Sequence, residues 1–209
     1  MAPQTQTLTG SKQDQTIENS IQHLRTVFAD APEIAKTALE KALPALTSKL
    51  VEGRLRVESA GRIGVRQGKV SELTVIAPFA PGGAQRLRAL LRALNGNFNE
   101  ADKVGTVHDM RFVFLDNDTK FLFATAYDGA WDPYIEDFAT KIPNEMDILF
   151  SAFEGWPGIA SPEVKDWIVK HQVTAEGWYV ANPNLTVGET RRLERVGQAL
   201  DEFLDKVAG

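Results

Sequence analysis

Hydrophobic residues near the start of the chain recur at the spacing of a helix. Four of them follow one another at steps of four, three and four residues, which places them on one helical face. They are Ile17, Ile21, Leu24 and Phe28. Pro32 stands where a second helix would begin, and Pro44 should kink or shorten that helix. The pattern predicts a helical arm over residues 1–52, packed on the main domain or on a partner subunit.

The next stretch, residues 53–69, breaks this pattern. It combines four glycines and five basic residues with a single acid, Glu58. The composition is typical of a linker or of a twisted hairpin, and both interpretations stay open at this point. Aromatic residues are missing among these basic positions, which argues against nucleic-acid binding.

Residues 70–209 alternate between strand-like and helix-like periodicity. Strands are predicted at 71–79, 105–115, 120–127 and 175–182. Helices are predicted at 84–95, at 133–153 with a bend at Pro143, and from Ser161 to about His171. Asp132 is predicted to cap the second of these helices, and Gly96 to end the first.

Thr186 and Glu189 form a capping box for a last helix. That helix is predicted to bury the stripe of Leu193, Val196, Leu200, Phe203 and Val207. The order strand, helix, strand, strand, helix, strand predicts an α+β fold with a ferredoxin-like βαββαβ antiparallel sheet. The N-terminal helical arm and the C-terminal helix flank this sheet.

The predicted strand 105–115 is apolar on both sides towards its end. A sheet with one solvated face should alternate more cleanly between apolar and polar residues. We therefore expect the second face to be covered as well, by the N-terminal helices, the C-terminal helix or a second subunit. A face-to-face dimer that encloses a ligand cavity is one such arrangement.

The order of elements, and the Trp-Asp-Pro-Tyr helix start at 131–134 after the hairpin, resemble the dimeric α+β barrel superfamily. That group includes antibiotic-biosynthesis monooxygenases, chlorite dismutases and dye-decolourising peroxidases, and the resemblance covers roughly residues 70–182. It implies a cavity between helices and sheet, and an oxidative reaction with or without haem. Haem members bind iron through a helical histidine. His171 ends a predicted helix without a ligand motif around it, so haem is not carried over and the cofactor stays unknown.

His108 and Arg111 are the candidate catalytic residues, because both lie in the middle of an apolar strand. His108 would serve as a general base or hydrogen-bond donor, and Arg111 would hold a carboxylate or an oxyanion. Strand alternation places the two side chains on opposite faces. The alternative for His108 is a core histidine whose hydrogen bonds are satisfied.

Candidate ligand-binding residues cluster around the second helix start and the following loop. They are Tyr127, Asp128, Trp131, Tyr134, Glu154 and Trp156. Structural roles compete with function here: acids in a first helical turn stabilise the helix dipole, and Asp128 before Gly129 is an ordinary turn residue.

The formal charge of −5 and the absence of cysteine narrow the classes of function. An acidic chain is not expected to bind nucleic acid or anionic lipid, and without cysteine there is no thiol nucleophile or Cys-ligated metal. No apolar stretch approaches the length of a membrane span, and no histidine pair has metal-ligand spacing. We expect a cytoplasmic homodimer or larger assembly that binds a small apolar or aromatic molecule or oxidises one. The alternative is a non-catalytic homo-oligomeric module.

Overall fold

The structure, a computed structural model, describes residues 7–51 and 57–208, with side chains at 15–48 and 57–207. The chain divides into two compact units, Met1–Arg56 and Val57–Gly209.

The first unit is a pair of helices, α1 (Thr7–Val27) and α2 (Glu33–Val51). Arg25 of α1 donates two hydrogen bonds of 2.8 Å to the carboxylate of Glu40 in α2. This pairing raises the pKa of Arg25 and lowers the pKa of Glu40. The expected shortening of the second helix at Pro44 is wrong, because α2 continues past it to Val51.

The second unit is built on an antiparallel sheet in which the strands follow the order β1-β2-β3-β5-β4, and β6 pairs with the edge of β3 beside β2. The strands are β1 (Val57–Ser59), β2 (Val65–Gln67), β3 (Val70–Pro78), β4 (Val107–Leu115), β5 (Lys120–Asp128) and β6 (Gln172–Val173). Of the two interpretations of the basic stretch, the hairpin holds for its described part, since β1 pairs with β2. Residues 53–56 lie outside the described residues.

The hairpin predicted at 105–127 is confirmed as β4 and β5, which pair from Val107 to Leu115. Three residues of its turn, Asp116, Asn117 and Asp118, have φ values of 50°, 53° and 64°. Asp and Asn tolerate this left-handed region better than other non-glycine residues do. The turn chemistry that predicted the hairpin is therefore the chemistry that closes it.

The helices of this unit are α3 (Gly83–Leu94), α4 (Trp131–Lys141), α5 (Pro143–Phe150), α6 (Val164–His171) and α7 (Val187–Ala208), with a 3₁₀ turn at Asn99–Lys103. The helix predicted at 133–153 is two helices. Ile142 leaves helical geometry at φ −140° and ψ 51°, and Pro143 then occupies the first turn of α5, where its missing N–H costs nothing. The apolar stripe still faces one core from both helices.

Asp132 does not cap α4, contrary to expectation, because the helix already begins at Trp131. Its carboxylate instead accepts hydrogen bonds from Lys165 Nζ at 2.8 Å and Arg62 Nε at 3.0 Å. The hydrogen bond from Lys165 is the largest cause of a lowered pKa of Asp132. The acid thus joins α6 and the loop after β1 to the start of α4.

The core lies on one side of the sheet. Leu73 and Val75 of β3 and Phe121 and Phe123 of β5 are buried there against α4, α5 and α6. On the other side the β4 positions Asp109, Arg111 and Val113 are exposed. Within the described part of the second unit these β4 positions are uncovered, and cover of this face by a second subunit stays a prediction. From Asp109 to Phe114, exposed and partly buried side chains of β4 alternate. The apolar residue on the outer face is Val113, which is 41% exposed.

The strand predicted at 175–182 is also wrong. Only Gln172 and Val173 pair with β3, and the following residues form a loop in which Tyr179 is 81% exposed. In this loop, side chains make the hydrogen bonds that backbone groups would make between paired strands. The Glu72 carboxylate accepts the Ala175 N–H, and the Gln67 side chain donates to the Trp178 carbonyl. A local apolar pattern predicts a strand but cannot supply a partner edge.

The capping box of α7 is confirmed. Glu189 Oε2 accepts the Thr186 N–H at 2.8 Å, and Thr186 Oγ1 accepts the Glu189 N–H at 3.1 Å. The predicted burial of the α7 stripe is wrong, because every described residue from Arg191 to Val207 is exposed. The helix leaves the core soon after it begins.

Candidate functional site

A cavity of about 160 Å³ lies where α3, the 3₁₀ turn and α5 meet the core side of β4 and β5. Three of its sixteen lining residues are polar. The lining residues are Leu90, Leu94, Asn97, Phe98, Glu100, Ala101, Met110, Phe112, Phe123, Phe138, Ile142, Glu145, Met146, Ile148, Leu149 and Phe150. A space of this composition is an apolar chamber.

Local geometry brings these residues to one place. Leu90 and Leu94 are four residues apart on α3 and so share a helix face. The chain then turns through Asn95 and Gly96, whose φ values of 48° and 76° are left-handed. Glycine adopts this region without a Cβ penalty. The turn leads back to Phe98, which stacks on Phe112 at a centroid distance of 5.2 Å.

The deeper wall of the cavity is a chain of aromatic contacts. Phe112 meets Phe123 at 5.4 Å, and Phe123 meets Phe150 edge to face at 5.3 Å. Phe123 and Phe150 are 4% exposed. Such pairs hold one another in preferred geometry, so this wall is preformed.

Charged groups lie only towards the mouth of the cavity. Glu100 and Asn97 are exposed, and Glu145 is half-buried. Lys103 donates to Glu100, and this hydrogen bond is the largest cause of a raised pKa of Lys103. The two ionisable lining residues are therefore both acids, Glu100 and Glu145, and Lys103 pairs with the first of them.

The arrangement suits binding by apolar contact. A cavity of about 150 Å³ lined by Leu, Ile and Phe stays dry and binds benzene or xenon. Ligand pockets more often measure about 300–1,000 Å³, so the fitting molecule is small. The acidic groups stand at the mouth, where they can orient a polar end without entering the apolar interior.

The structure does not bring the predicted catalytic residues to this cavity. His108 is the extra residue of a β-bulge, since Val107 pairs with Tyr127 and Asp109 with Ala126. Its Nε2 lies 2.7 Å from Asp128 Oδ1, and its side chain is 25% exposed.

Arg111 is 62% exposed on the outer face, with its Nε 3.5 Å from Asp109 Oδ1. The bulge also overturns the expectation that His108 and Arg111 point to opposite faces. Arg111 pairs with Ala124 of β5, so the two side chains lie on one face of the sheet. Asp128 is four residues from Ala124 on the same strand and lies on that face too. Because His108 bonds Asp128, its side chain is on the same face as Arg111.

Three of the predicted ligand-binding residues form part of the core. Tyr127 and Trp131 are fully buried, and Tyr134 is 2% exposed. Burial raises the pKa of both tyrosines. Trp131 Nε1 donates to Gln172 Oε1 at 2.8 Å, which ties α4 to β6.

The other three have hydrogen-bonding roles at element ends. Asp128 Oδ2 accepts the N–H of Val187, the first residue of α7, at 2.9 Å. Trp156 Nε1 donates to Asp147 Oδ1 at 2.9 Å, and the Glu154 carbonyl accepts from Trp167. These contacts support structure, and the ligand-binding assignment of the six residues stays a prediction.

The segment that forms the mouth, residues 96–104, was not among the predicted site residues. Its signal is a single aromatic residue, Phe98, among polar neighbours in GNFNEADKV. A lone aromatic residue in a polar connector indicates an anchor to a nearby core. The contact of Phe98 with Phe112 is such an anchor.

No family model matches the chain, and comparisons with curated proteins and with solved structures find no match either. Among the residues that the structure describes, no group of three or more His, Asp or Glu side chains could hold a metal ion. Of the helices within 7–51 and 57–208, none combines the length and apolar character needed to cross a membrane.

Proposed function

We propose that this protein binds a small apolar or aromatic molecule in the cavity beside Phe112. The observation that carries the proposal is the composition of the cavity, in which apolar side chains surround the space and acidic groups stand at its mouth. Burying apolar ligand surface contributes roughly 25 cal/mol per Å². A preformed apolar cavity supplies that contribution without rearrangement of the core.

The mouth suggests which polar end such a ligand carries. Glu145 and Glu100 favour a hydrogen-bond donor or a cation, and they disfavour a carboxylate. Lys103 offsets part of this charge through its pair with Glu100. We infer that the preferred ligand has a ring-sized apolar body and, where it has a polar end, a cationic or donating one.

Binding has more support than an oxidative reaction on the same molecule. The ionisable lining residues are the two carboxylates at the mouth, and the interior is hydrocarbon, aromatic and thioether. A general acid or base must reach the reacting atom within hydrogen-bond distance. His108, nominated for that role, is bonded to Asp128 away from the lining residues.

We further propose that β6, β3, β5 and β4 form a ferredoxin-like sheet to which the β1–β2 hairpin is added. Support comes from the position of β3 between β5 and β6, and from antiparallel pairing throughout. The resemblance to the dimeric α+β barrels stays a prediction. It requires a partner subunit on the outer face of the sheet, where Arg111 and Val113 are exposed.

Methionine provides a direct test of ligand binding. The chain has three methionines, and two of them, Met110 and Met146, line the cavity. Protein labelled with ¹³C at the methionine methyl groups is titrated with benzene, toluene and indole. We expect the Met110 and Met146 signals to shift and saturate. Met110→Leu assigns the signals.

A matched pair of variants locates the binding. Ala101→Leu places extra carbon at the cavity wall and should weaken binding at least tenfold, whereas Ala89→Leu makes the same change at an exposed position of α3. Signals that do not move for any of the three probes would overturn the proposal. Equal binding by Ala101→Leu and wild type would also overturn it.

A further inference from the structure

The mouth of the cavity lies between two parts of the chain. Residues 96–103 supply Asn97 and Glu100 on one side, and α5 supplies Glu145 on the other. A wider opening therefore requires that one of these two parts moves. The contacts that attach each part to the rest of the domain decide which one it is.

The α5 side of the mouth is fixed in the core. Met146 and Phe150 of this helix are buried. Asp147, which lies between them in the chain, accepts hydrogen bonds from Trp156 Nε1 at 2.9 Å and from the Ile159 N–H at 2.7 Å. Moving α5 would expose apolar surface and break these bonds, and both effects oppose its movement.

The backbone of residues 96–103 is bonded only locally within the described part of the chain. The Asn97 N–H donates to the Leu94 carbonyl at 2.8 Å, and the Ala101 N–H donates to the Phe98 carbonyl at 2.9 Å. Such bonds shape the 3₁₀ turn but do not attach it to the sheet or to another helix.

Two side-chain contacts join the same segment to distant elements, among the residues that the structure describes. Phe98 stacks on Phe112 of β4, and Arg191 of α7 donates to the carboxylate of Asp102. A segment with so few contacts opens at a small fraction of the free energy of global unfolding. Residues 96–103 are therefore the side of the mouth that can move.

Both ends of this segment suit a hinge. Gly96 and Gly105 have φ values of 76° and 80°, and a Cβ at either position would meet open space. Glycine is needed there for the left-handed backbone and not for close packing. Val104 is 1% exposed, and its carbonyl accepts a hydrogen bond from Lys141 Nζ at 3.0 Å. The movable part therefore ends at Lys103.

The partner of Asp102 stands on a fixed base. The first turn of α7 is held by Asp128, which accepts the Val187 N–H at 2.9 Å, and by Lys69, which donates to Glu189 at 2.7 Å. Arg191 follows Glu189 by two residues. Its guanidinium group can therefore restrain the segment against the rest of the domain.

We propose that residues 96–103 form a hinged lid of the cavity, latched by the ion pair between Asp102 and Arg191. The lid rests on the proposed function, since it serves the same cavity. It opens by turning about its two ends while Phe98 leaves Phe112, and the ligand passes between the lid and α5. The latch stabilises the closed lid equally with and without an uncharged ligand inside. Weakening the latch therefore raises the association and dissociation rates by one factor and leaves Kd unchanged.

The test uses the tightest binder among benzene, toluene and indole, none of which carries a charge. Both rates are obtained from exchange broadening of the methionine methyl signals during the titration. We expect Arg191→Gln to raise both rates roughly two- to fivefold, the range for an exposed ion pair, at constant Kd. Arg192→Gln is the control, because it removes the same charge from the next residue of α7, outside the latch.

The reciprocal change on the lid itself separates the latch from other effects on α7. Asp102→Asn should raise both rates as Arg191→Gln does, and the double variant should be no faster than either, because all three lack one and the same contact. Unchanged rates in both single variants would overturn the lid and leave the proposed function standing. Faster dissociation with unchanged association would also overturn it. Binding of none of the three probes would overturn the proposed function and the lid together.

Discussion

Tyr127 and Tyr134 lie with their rings stacked at a centroid distance of 3.7 Å and an interplanar angle of 10°. Their hydroxyl groups differ. Tyr134 shares a 2.9 Å hydrogen bond with Thr125 Oγ1, which itself donates to the Asp109 carbonyl at 2.8 Å. Because threonine has one hydroxyl proton, Tyr134 is the donor to Thr125. Within the part of the chain that the structure describes, the buried Tyr127 hydroxyl has no partner in hydrogen-bonding geometry.

This asymmetry predicts opposite effects of the same substitution. Tyr134→Phe removes the hydrogen bond from Tyr134 to Thr125 and should lower the free energy of unfolding by about 1 kcal/mol. Tyr127→Phe removes an unsatisfied buried oxygen and should be neutral or stabilising. Urea unfolding of the two variants beside wild type measures the difference. A larger loss in Tyr127→Phe would contradict the assigned hydrogen bonds.

The same two side chains predict a loss of stability in alkali. Burial raises the pKa of both phenols in the folded protein, whereas in the unfolded chain they titrate near pH 10. Below that pH both states are protonated. Above it the unfolded state loses protons that the folded state keeps, so the free energy of unfolding falls as pH rises beyond about 10.

Lysines also titrate in this pH range. The contribution of Tyr127 to the loss of stability is therefore measured as the difference between wild type and Tyr127→Phe. The variant Tyr127→Phe should lose stability less steeply than wild type between about pH 9 and pH 11. Both proteins are unfolded in urea at each pH and compared. Parallel pH profiles would show that Tyr127 ionises as easily in the folded state as in the unfolded chain.

Local patterns predicted those elements whose determinants are local. The hairpin turn at Asp116–Thr119 and the capping box of Thr186 and Glu189 depend on a few neighbouring residues, and both are present. The strand at 175–182 failed because a strand also needs an unoccupied partner edge. Residues beyond Val173 meet the side chains of Glu72 and Gln67 there, so they form no ladder.

The candidate site was harder to predict than the fold, for two reasons. A one-residue bulge at His108 changes the face of the sheet on which the His108 side chain lies, and the apolar pattern of the sequence does not predict this bulge. The cavity mouth comes from a connector, where Phe98 contributes by long-range stacking on Phe112.

The acidic mouth predicts a preference among ligands of one size. Benzylamine should bind more tightly than benzyl alcohol, and benzoate should bind most weakly, because Glu145 and Glu100 attract a cation and repel an anion. The preference should shrink in salt. Glu145→Gln should reduce the difference in affinity between benzylamine and benzoate. Glu163→Gln is the control, because it removes an exposed acid outside the cavity lining. Equal affinities for the three ligands would show that the acids at the mouth do not select ligands by charge.

Asp128 predicts how firmly the C-terminal helix is held. One oxygen of its carboxylate meets His108 Nε2 at 2.7 Å, and the other accepts the Val187 N–H at 2.9 Å. The second contact satisfies one of the N–H groups that a helix start leaves without a partner. Asp128→Ala should therefore cost about 1 kcal/mol, the usual loss for a helix cap.

The matched variant His108→Ala removes the other partner of the same carboxylate and leaves the cap in place. Amide hydrogen exchange at Val187 separates the two effects, because it reports opening of this helix start and not of the whole domain. Exchange should accelerate in Asp128→Ala and change little in His108→Ala. Equal acceleration in both variants would mean that His108 orients the carboxylate and that the bulge in β4 exists to anchor α7.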